Sequence, residues 1–313
     1  MIPPPSSVAV CIATFRRPAG LRTLLQALGR LDFQKSERPA IFVYVVDNDP
    51  GSGEARQVCS QFEDGPYQLT YLSEPRVGIS FARNAGVEHA IASKAEMIVF
   101  IDDDESPDPH WLDELLSTRH EYDAHVVAGP VLPLFQEGVP SWVIRGRFFD
   151  RPRMRTGTLV NWVGAGNLLV TSRLLTQVQG FDAGFAHTGG EDSELSLRLK
   201  NTGSTMVWSD EAIVREDVPV NRARARWILR RAFAGGNNWA RIQITFRPGF
   251  QMRLVQTSRA VANVAAGTLM LLPSLFAGRH RLVRSGIRVC AGFGALSNLL
   301  GFRYKRYGCS KVE

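Results

Sequence analysis

The sequence predicts an α/β protein built on a βα-wound sheet, followed by a basic helical region, and three observations carry that expectation. Short apolar runs alternate with helical apolar spacing from residue 8 to residue 101, the signature of strands joined by helices. The strand-like runs end in polar or acidic residues, at Thr14, Asp47 and Asp102, at the strand ends where open α/β sheets bind ligands. Charge also divides the chain. Residues 1–214 hold 19 Lys/Arg against 27 Asp/Glu, a net −8, while residues 215–313 hold 18 against 3, a net +15. Such a split predicts a catalytic body over 1–214 and a C-terminal region over 215–313 that faces an anionic surface.

Each element has its own signal. Residues 8–13 form the first strand, and Leu21, Leu24, Leu25 and Leu28 give the next helix its apolar stripe. Residues 41–46 are the second strand, closed by the turn signal Asp47-Asn48-Asp49-Pro50-Gly51. A short third strand covers 69–72, a helix 80–92 and a fourth strand 97–101. Asp108-Pro109 marks a helix start, with Asp as N-cap and Pro at the first helical position. The aperiodic stretch between Pro130 and Thr158, with five arginines, reads as a long excursion near the site. Residues 162–170 follow and enclose Gly164-Ala165-Gly166-Asn167, whose glycines suit close approach to a ligand or another strand. Residues 191–200 are helical, and 222–242 form a basic helical stretch interrupted at Gly235-Gly236.

The bulk properties set limits. With 44% apolar and 21% charged residues over 313 positions, the chain folds around a large core. Cys11, Cys59, Cys290 and Cys309 make no CxxC pair, which predicts a reducing compartment. No basic-then-apolar segment opens the chain, so no signal peptide is expected.

Two acidic clusters carry the chemistry. In Val99-Phe100-Ile101-Asp102-Asp103-Asp104-Glu105, four carboxylates follow an apolar strand, and such crowding needs a positive partner. Mg²⁺ or Mn²⁺ fits, because hard cations take oxygen ligands and keep positions for substrate phosphates; a solvated acidic loop is the alternative. In Gly189-Gly190-Glu191-Asp192-Ser193-Glu194, glycines precede a carboxylate pair at a helix start, which suits either a general base or a simple helix cap.

Six segments together resemble inverting glycosyltransferases of family 2, on the GT-A nucleotide-sugar fold. They are Cys11-Ile-Ala-Thr-Phe-Arg-Arg, Val45-Val46-Asp47-Asn48, Val77-Gly-Ile-Ser-Phe-Ala-Arg83-Asn84-Ala-Gly, Phe100-Ile-Asp-Asp-Asp104, Gly180-Phe-Asp182 and Gly190-Glu-Asp192, in order from residue 8 to about 200. The resemblance implies that Thr14, Phe15 and Asp47 hold the donor's uracil, and that Arg83 approaches its base or diphosphate. It implies that Asp102 and Asp103 belong to the donor site, Asp102 at the ribose, with Asp104 coordinating Mn²⁺ or Mg²⁺. Asp192 becomes the base that activates the acceptor hydroxyl, and Glu191 helps bind the acceptor or orient that base. Asn84 is expected to be structural. Gly166, Asn167, Arg226 and Trp227 are candidates for meeting the acceptor or a diphosphate.

Two departures from the family pattern matter. Phe15 replaces a common tyrosine, and the Gln-x-x-Arg-Trp of processive enzymes is absent because position 223 is Ala. A single-addition transferase is therefore expected. Its partners would be a nucleotide-sugar donor, a glycan or lipid-linked acceptor and an anionic membrane surface, rather than nucleic acid. The membrane expectation comes from residues 260–277, eighteen uncharged positions flanked by Arg259, Arg279, Arg281 and Arg284. They suit an interfacial hairpin at the cytoplasmic face of a membrane, with a full span or a buried helical subdomain as alternatives. A metal-dependent nucleotidyl- or phosphotransferase and a non-catalytic membrane adaptor are the rival functions.

Overall fold

The computed structural model describes residues 4–306; Met1–Pro3 and Cys309 lie outside them. Four parallel strands begin the architecture: β1 (Ser7–Thr14), β2 (Ala40–Asp47), β3 (Gln68–Ser73) and β4 (Met97–Ile101). With the later strands β6 (Val126–Ala128), β8 (Asn167–Thr171) and β9 (Met206–Trp208) they make one seven-stranded sheet of order β3-β2-β1-β4-β8-β6-β9. Strand β8 runs antiparallel to both β4 and β6, so the sheet is mixed. The short strands β5 (Glu105–Pro107), β7 (Val131–Phe135) and β10 (Val214–Val218) form a second sheet of order β5-β10-β7.

The core follows from the two-residue period of a strand. Val8, Val10 and Ile12 of β1 face α1 (Pro18–Leu28) and α4 (Trp111–Glu121), whose Leu24, Leu25, Trp111 and Leu115 are fully buried. Ala9 and Cys11 face the other way, into a cluster with Val87 and Ala90 of α3 (Ile79–Ala92) and with Leu195 and Leu199 of α7 (Glu191–Asn201). The short helices α2 (Glu54–Cys59), α5 (Ser141–Gly146) and α6 (Ser172–Gln177) complete the set before residue 217. Cys11, Cys59 and Cys290 are free thiols.

The chain divides into two compact units. One comprises the residues up to Pro133 with Arg151–Ala186 and Glu191–Glu216; the other comprises Leu134–Asp150, His187–Gly190 and the residues from Asp217 onward. The second unit holds the long helices α8 (Ala225–Phe246), α9 (Phe250–Phe276) and α10 (Arg279–Leu299), with α10 packed along both of the others. Helix α9 is the only helix among the described residues that is long and apolar enough to cross a membrane.

Three expectations need correction. Helix α4 begins at Trp111 rather than at Pro109, because Asp108 contributes its backbone carbonyl to Trp111 and no side chain caps the helix. The stretch over 162–170, whose glycines were expected to approach a ligand or another strand, is strand only from Asn167. The glycine pair does not interrupt α8. Gly236 faces the backbone of Ala291, and Gly294 faces that of Phe233, so the missing side chains let α8 and α10 meet closely. Gly236→Ala is therefore expected to destabilise by about 1–3 kcal/mol through overpacking, outweighing the gain of about 1 kcal/mol in helix propensity. Urea denaturation followed by circular dichroism measures the sign.

Candidate active site

The acidic loop lies where the fold brings three strand ends together. Thr14 closes β1 opposite Asp47 of β2, and β4 pairs along the other side of β1. Beyond Ile101 the chain turns sharply, with the Glu105 amide donating to the Asp102 carbonyl at 3.1 Å. Asp103 folds back onto β1. Its Oδ2 accepts from Thr14 Oγ1 at 2.9 Å and from the Phe15 amide at 3.3 Å, while its Oδ1 accepts from Arg17 Nη1 at 2.7 Å. Arg17 Nη1 also lies 3.1 Å from Asp104 Oδ2. The first turn of α1 can approach this loop because Gly20 has no side chain; a Cβ there would collide with the Asp103 carbonyl oxygen.

Arg83 on α3 links the loop to the second acidic cluster. Its Nη2 donates to Asp102 Oδ1 at 2.7 Å and its Nη1 to Glu191 Oε1 at 2.5 Å, at the first residue of α7. The positive charge that the acidic loop requires is thus supplied within the fold by two guanidinium groups. Burial opposes the Arg83 charge, but Asp102 and Glu191 overcome it and raise the guanidinium pKa. Burial drives Asp102 up, but Arg83, Arg151 and Arg17 together outweigh it and hold the carboxyl below its ordinary value. Burial pushes Asp103 up to about 6 against the pull of Arg17.

Two buried carboxylates carry an oxygen without a hydrogen-bond partner, Glu105 Oε1 and Glu191 Oε2. Glu105 Oε2 accepts from the Asp102 amide at 2.9 Å, Gly166 packs against its other oxygen, and Arg151 stands 3.9 Å away while pairing with Glu216. Burial raises the Glu105 pKa well above its ordinary value. Glu191 is pushed up to about 7 by burial, with Arg83 pulling against that and Asp192 adding to it. Asp192, half-buried, accepts the Ser193 amide at 2.6 Å at the start of α7, where the helix dipole favours its charge.

Glu191 makes the stability of the site pH-dependent. A carboxyl whose folded pKa exceeds its unfolded value binds its proton more tightly when folded, so stability declines as pH rises between the two values. For Glu191 that window runs from 4.5 to about 7. In parallel urea titrations, the stability of the wild type relative to Glu191→Gln is expected to fall as pH rises through this window. A difference independent of pH would contradict the assignment.

The other residues singled out from the sequence divide by their partners. Asp47 is buried, its Oδ1 accepting the Asp49 amide and its Oδ2 the Tyr71 hydroxyl, both at 2.9 Å. Phe15 is exposed beside Arg16. Asn84 is structural: its side chain exchanges two hydrogen bonds with the backbone of Phe181. Asn167, expected at the acceptor, instead holds the sheet together. It accepts from Trp111 Nε1 at 2.8 Å and donates to the carbonyls of Pro130 and Ala212. Gly166 lies against Glu105, where a Cβ would collide with its carboxylate. In the second unit, Trp227 stacks on Phe149 with ring centroids 5.6 Å apart and belongs to an apolar cluster, while Arg226 is exposed on α8. Arg17, Arg151 and Tyr71 were not foreseen, although Arg17 sits inside the Cys11–Arg17 segment and the acidic loop called for a nearby cation.

Among the described residues, no three His, Cys, Asp or Glu side chains form a ready metal cage. Asp103 is buried and engaged, whereas the side chains of Asp102 and Asp104 stay 35% and 16% exposed. This all-oxygen set fits a hard cation that keeps most of its positions for water or phosphate oxygens.

Comparison with known proteins agrees with the geometry. The model of glycosyl transferase family 2 matches residues 9–174, and that of glycosyl transferase family group 2 matches residues 97–302. Succinoglycan biosynthesis protein ExoM of Rhizobium meliloti is 28% identical over 308 residues, covering 97% of each chain. The glucosyl-dolichyl phosphate glucuronosyltransferase of Haloferax volcanii is 22% identical over 74% of each chain. Among solved structures, the mannosyltransferase PcManGT from Pyrobaculum calidifontis, in complex with GDP-Man and Mn²⁺, superposes with a TM-score of 0.64 at 18% identity, covering 95% of this chain and 88% of that one. TarS 1–349 of S. aureus in complex with UDP gives 0.54 at 15% identity, covering 96% and 93%. Both neighbours share the GT-A fold foreseen from the sequence motifs. The nucleotidyltransferase and adaptor alternatives fall away: the chain belongs to glycosyl transferase family 2 and is a glycosyltransferase.

Proposed function

We propose that this glycosyltransferase moves one sugar from a UDP-sugar to a hydroxyl of a glycan or lipid-linked acceptor, inverting the anomeric carbon, at the cytoplasmic face of a membrane. The observation that carries the reading is Arg83, which joins Asp102 of the loop after β4 to Glu191 at the start of α7. One guanidinium thereby ties the loop after β4 to Glu191, the residue next to the candidate base Asp192.

In this reading residues 1–214 hold the chemistry and 215–313 meet the membrane. Thr14, Phe15 and Asp47 hold the base, Asp102 and Asp103 shape the ribose and phosphate side, and Arg83 orients both clusters. Asp104, with Asp102, would hold Mn²⁺ or Mg²⁺. A bound cation would neutralise charge on the departing nucleoside diphosphate. Asp192 takes the proton from the acceptor hydroxyl as it attacks, and Glu191 keeps Asp192 and Arg83 in place. The complexes of the solved neighbours with UDP and with GDP-Man and Mn²⁺ support a nucleotide-sugar donor and a divalent ion. The relative in succinoglycan biosynthesis supports a polysaccharide product, and the apolar helix α9 supports a membrane surface.

Calorimetric titration tests the donor. UDP is expected to bind at least about tenfold more tightly with Mn²⁺ than with chelator, as a cation bridging carboxylates and phosphates requires. Binding that is indifferent to metal, or tighter for GDP than for UDP, contradicts the reading.

A further inference from the structure

We propose that the indole of Trp162 is the platform on which a sugar ring of the acceptor rests while its hydroxyl faces Asp192. The inference deepens the preceding proposal, on which it rests for Asp192 as the base, and it makes the acceptor itself a pyranose.

Trp162 stands in the segment leading into β8, held against α7. The side chain of Val163 is buried in the core, and its amide donates to Ser196 Oγ at 2.9 Å. An extended chain alternates its side chains, so Trp162 turns the other way and is 46% exposed. The indole is nevertheless tethered. Its Nε1 donates to Ser193 Oγ at 3.3 Å, and its Cη2 lies 3.6 Å from where a Cβ on Gly164 would stand. Asp192 Oδ2 lies 3.9 Å from that same point. Nε1 and Cη2 belong to one edge of the indole, so that edge is turned toward Gly164 and the start of α7. With nearly half of the residue exposed, ring surface is still presented to solvent beside the candidate base.

A single exposed indole is ordinary on a protein surface; the position of this one beside a carboxylate is what points to a sugar. The face of an aromatic ring is electron-rich and attracts the C–H face of a pyranose, whose hydroxyls project outward around it. A base standing next to the indole then meets a hydroxyl while the indole takes the face. An aliphatic alcohol offers no such face, and the same electron-rich surface disfavours a phosphate. Asp192 Oδ1 already accepts from the Ser193 amide at 2.6 Å and from the Ser193 hydroxyl at 3.3 Å. Oδ2, the oxygen nearest Gly164, is therefore the one that meets the acceptor.

The gap between indole and carboxylate exists because residue 164 has no side chain. Its backbone does not call for glycine, since Gly164 is not among the residues with positive φ. A methyl group there would touch both Trp162 and Asp192 at ordinary contact distance and would close the gap without a collision. Of the run Gly164-Ala165-Gly166-Asn167, it is the first glycine that stands beside the candidate base.

The test is saturation-transfer NMR on the full chain, with and without UDP and Mg²⁺, using methyl β-D-glucopyranoside and methyl β-D-galactopyranoside as probes. Saturation is expected on the C–H protons of one ring face of at least one probe. In Trp162→Ala the affinity should fall by about five- to tenfold, the scale of one aromatic contact. Trp162→Phe keeps a ring and should recover most of that loss. Gly164→Ala should weaken the probe by a similar factor with the indole intact. Trp239→Ala, which removes a similarly exposed indole from α8, should change nothing. UDP binding in the same samples shows that each variant is folded. A wild type that binds UDP but saturates neither probe would overturn the platform and leave the donor reading standing. A wild type that fails to bind UDP contradicts the donor reading, while the probes without nucleotide still report on Trp162. Contact unmoved by Trp162→Ala, or lost equally in Trp239→Ala, would overturn the inference. Equal losses in the Ala and Phe variants would assign the effect to the indole N–H and overturn the stacking. Displacement of the probes by UDP-glucose or UDP-galactose would give the ring to the donor's sugar and overturn the acceptor assignment. An active Asp192→Asn enzyme would remove the base, an outcome the NMR result does not depend on.

Discussion

Replacing Asp192 with asparagine is expected to lower the rate of sugar transfer by about 10²–10⁴-fold, the range spanned by a positioned general base, while nucleotide binding persists. The substitution keeps the size and the hydrogen bond that Asp192 Oδ1 accepts from the Ser193 amide, so α7 should still begin at Glu191. Burial in the Arg83 network distinguishes Glu191 from its neighbour. Glu191 has one oxygen occupied by Arg83 and its side chain is buried, whereas Asp192 is only half-buried and open to an approaching acceptor hydroxyl. Glu191→Gln should therefore cost less turnover than Asp192→Asn. Single-turnover kinetics with saturating donor decide between them: an active Asp192→Asn enzyme, or a larger loss at Glu191, reverses the assignment.

Replacing Arg83 with methionine is expected to cost about 3–5 kcal/mol of folding stability, the usual consequence of removing one partner from a buried charge network. Asp102 would lose its 2.7 Å partner and Glu191 its 2.5 Å partner, leaving Glu191 buried with neither carboxylate oxygen paired. Lysine is a poor replacement, because a single ammonium has no fork to reach both clusters. The double variant Arg83→Met/Glu191→Gln should recover part of the loss, since one stranded charge is removed with its partner. Urea denaturation of the three variants measures the effect. A loss below about 1 kcal/mol for Arg83→Met would place the network among solvent-screened pairs.

How far the sequence could be read depended on the range of the interaction. The strands β1 to β4 were legible because alternation and apolar runs are local signals, and the end residues Thr14, Asp47 and Asp102 followed from them. Gly235-Gly236 misled for a physical reason. Glycine weakens an isolated helix, but here it lets α10 lie directly on the backbone of α8, a gain that only tertiary packing shows. Asn167 misled likewise, since its position after three small residues resembled a ligand loop until the partners Trp111, Pro130 and Ala212 came into view. Arg17 reaches a carboxylate 86 residues away, and no spacing rule names such a partner. The acidic loop did announce that a cation must stand near it; the sequence could not say that two arginines fill much of that need.

The reversed strand β8 has a consequence for how such an enzyme changes its selectivity. Because β8 runs against β4, Asn167 at its beginning stands beside Ile101 at the end of β4. The inbound stretch over residues 151–166, rather than anything that leaves β8, therefore arrives at the rim where the aspartates emerge. Grafting that stretch from one relative to another would redraw the wall around the reaction centre and leave every rung of the ladder beneath it in place.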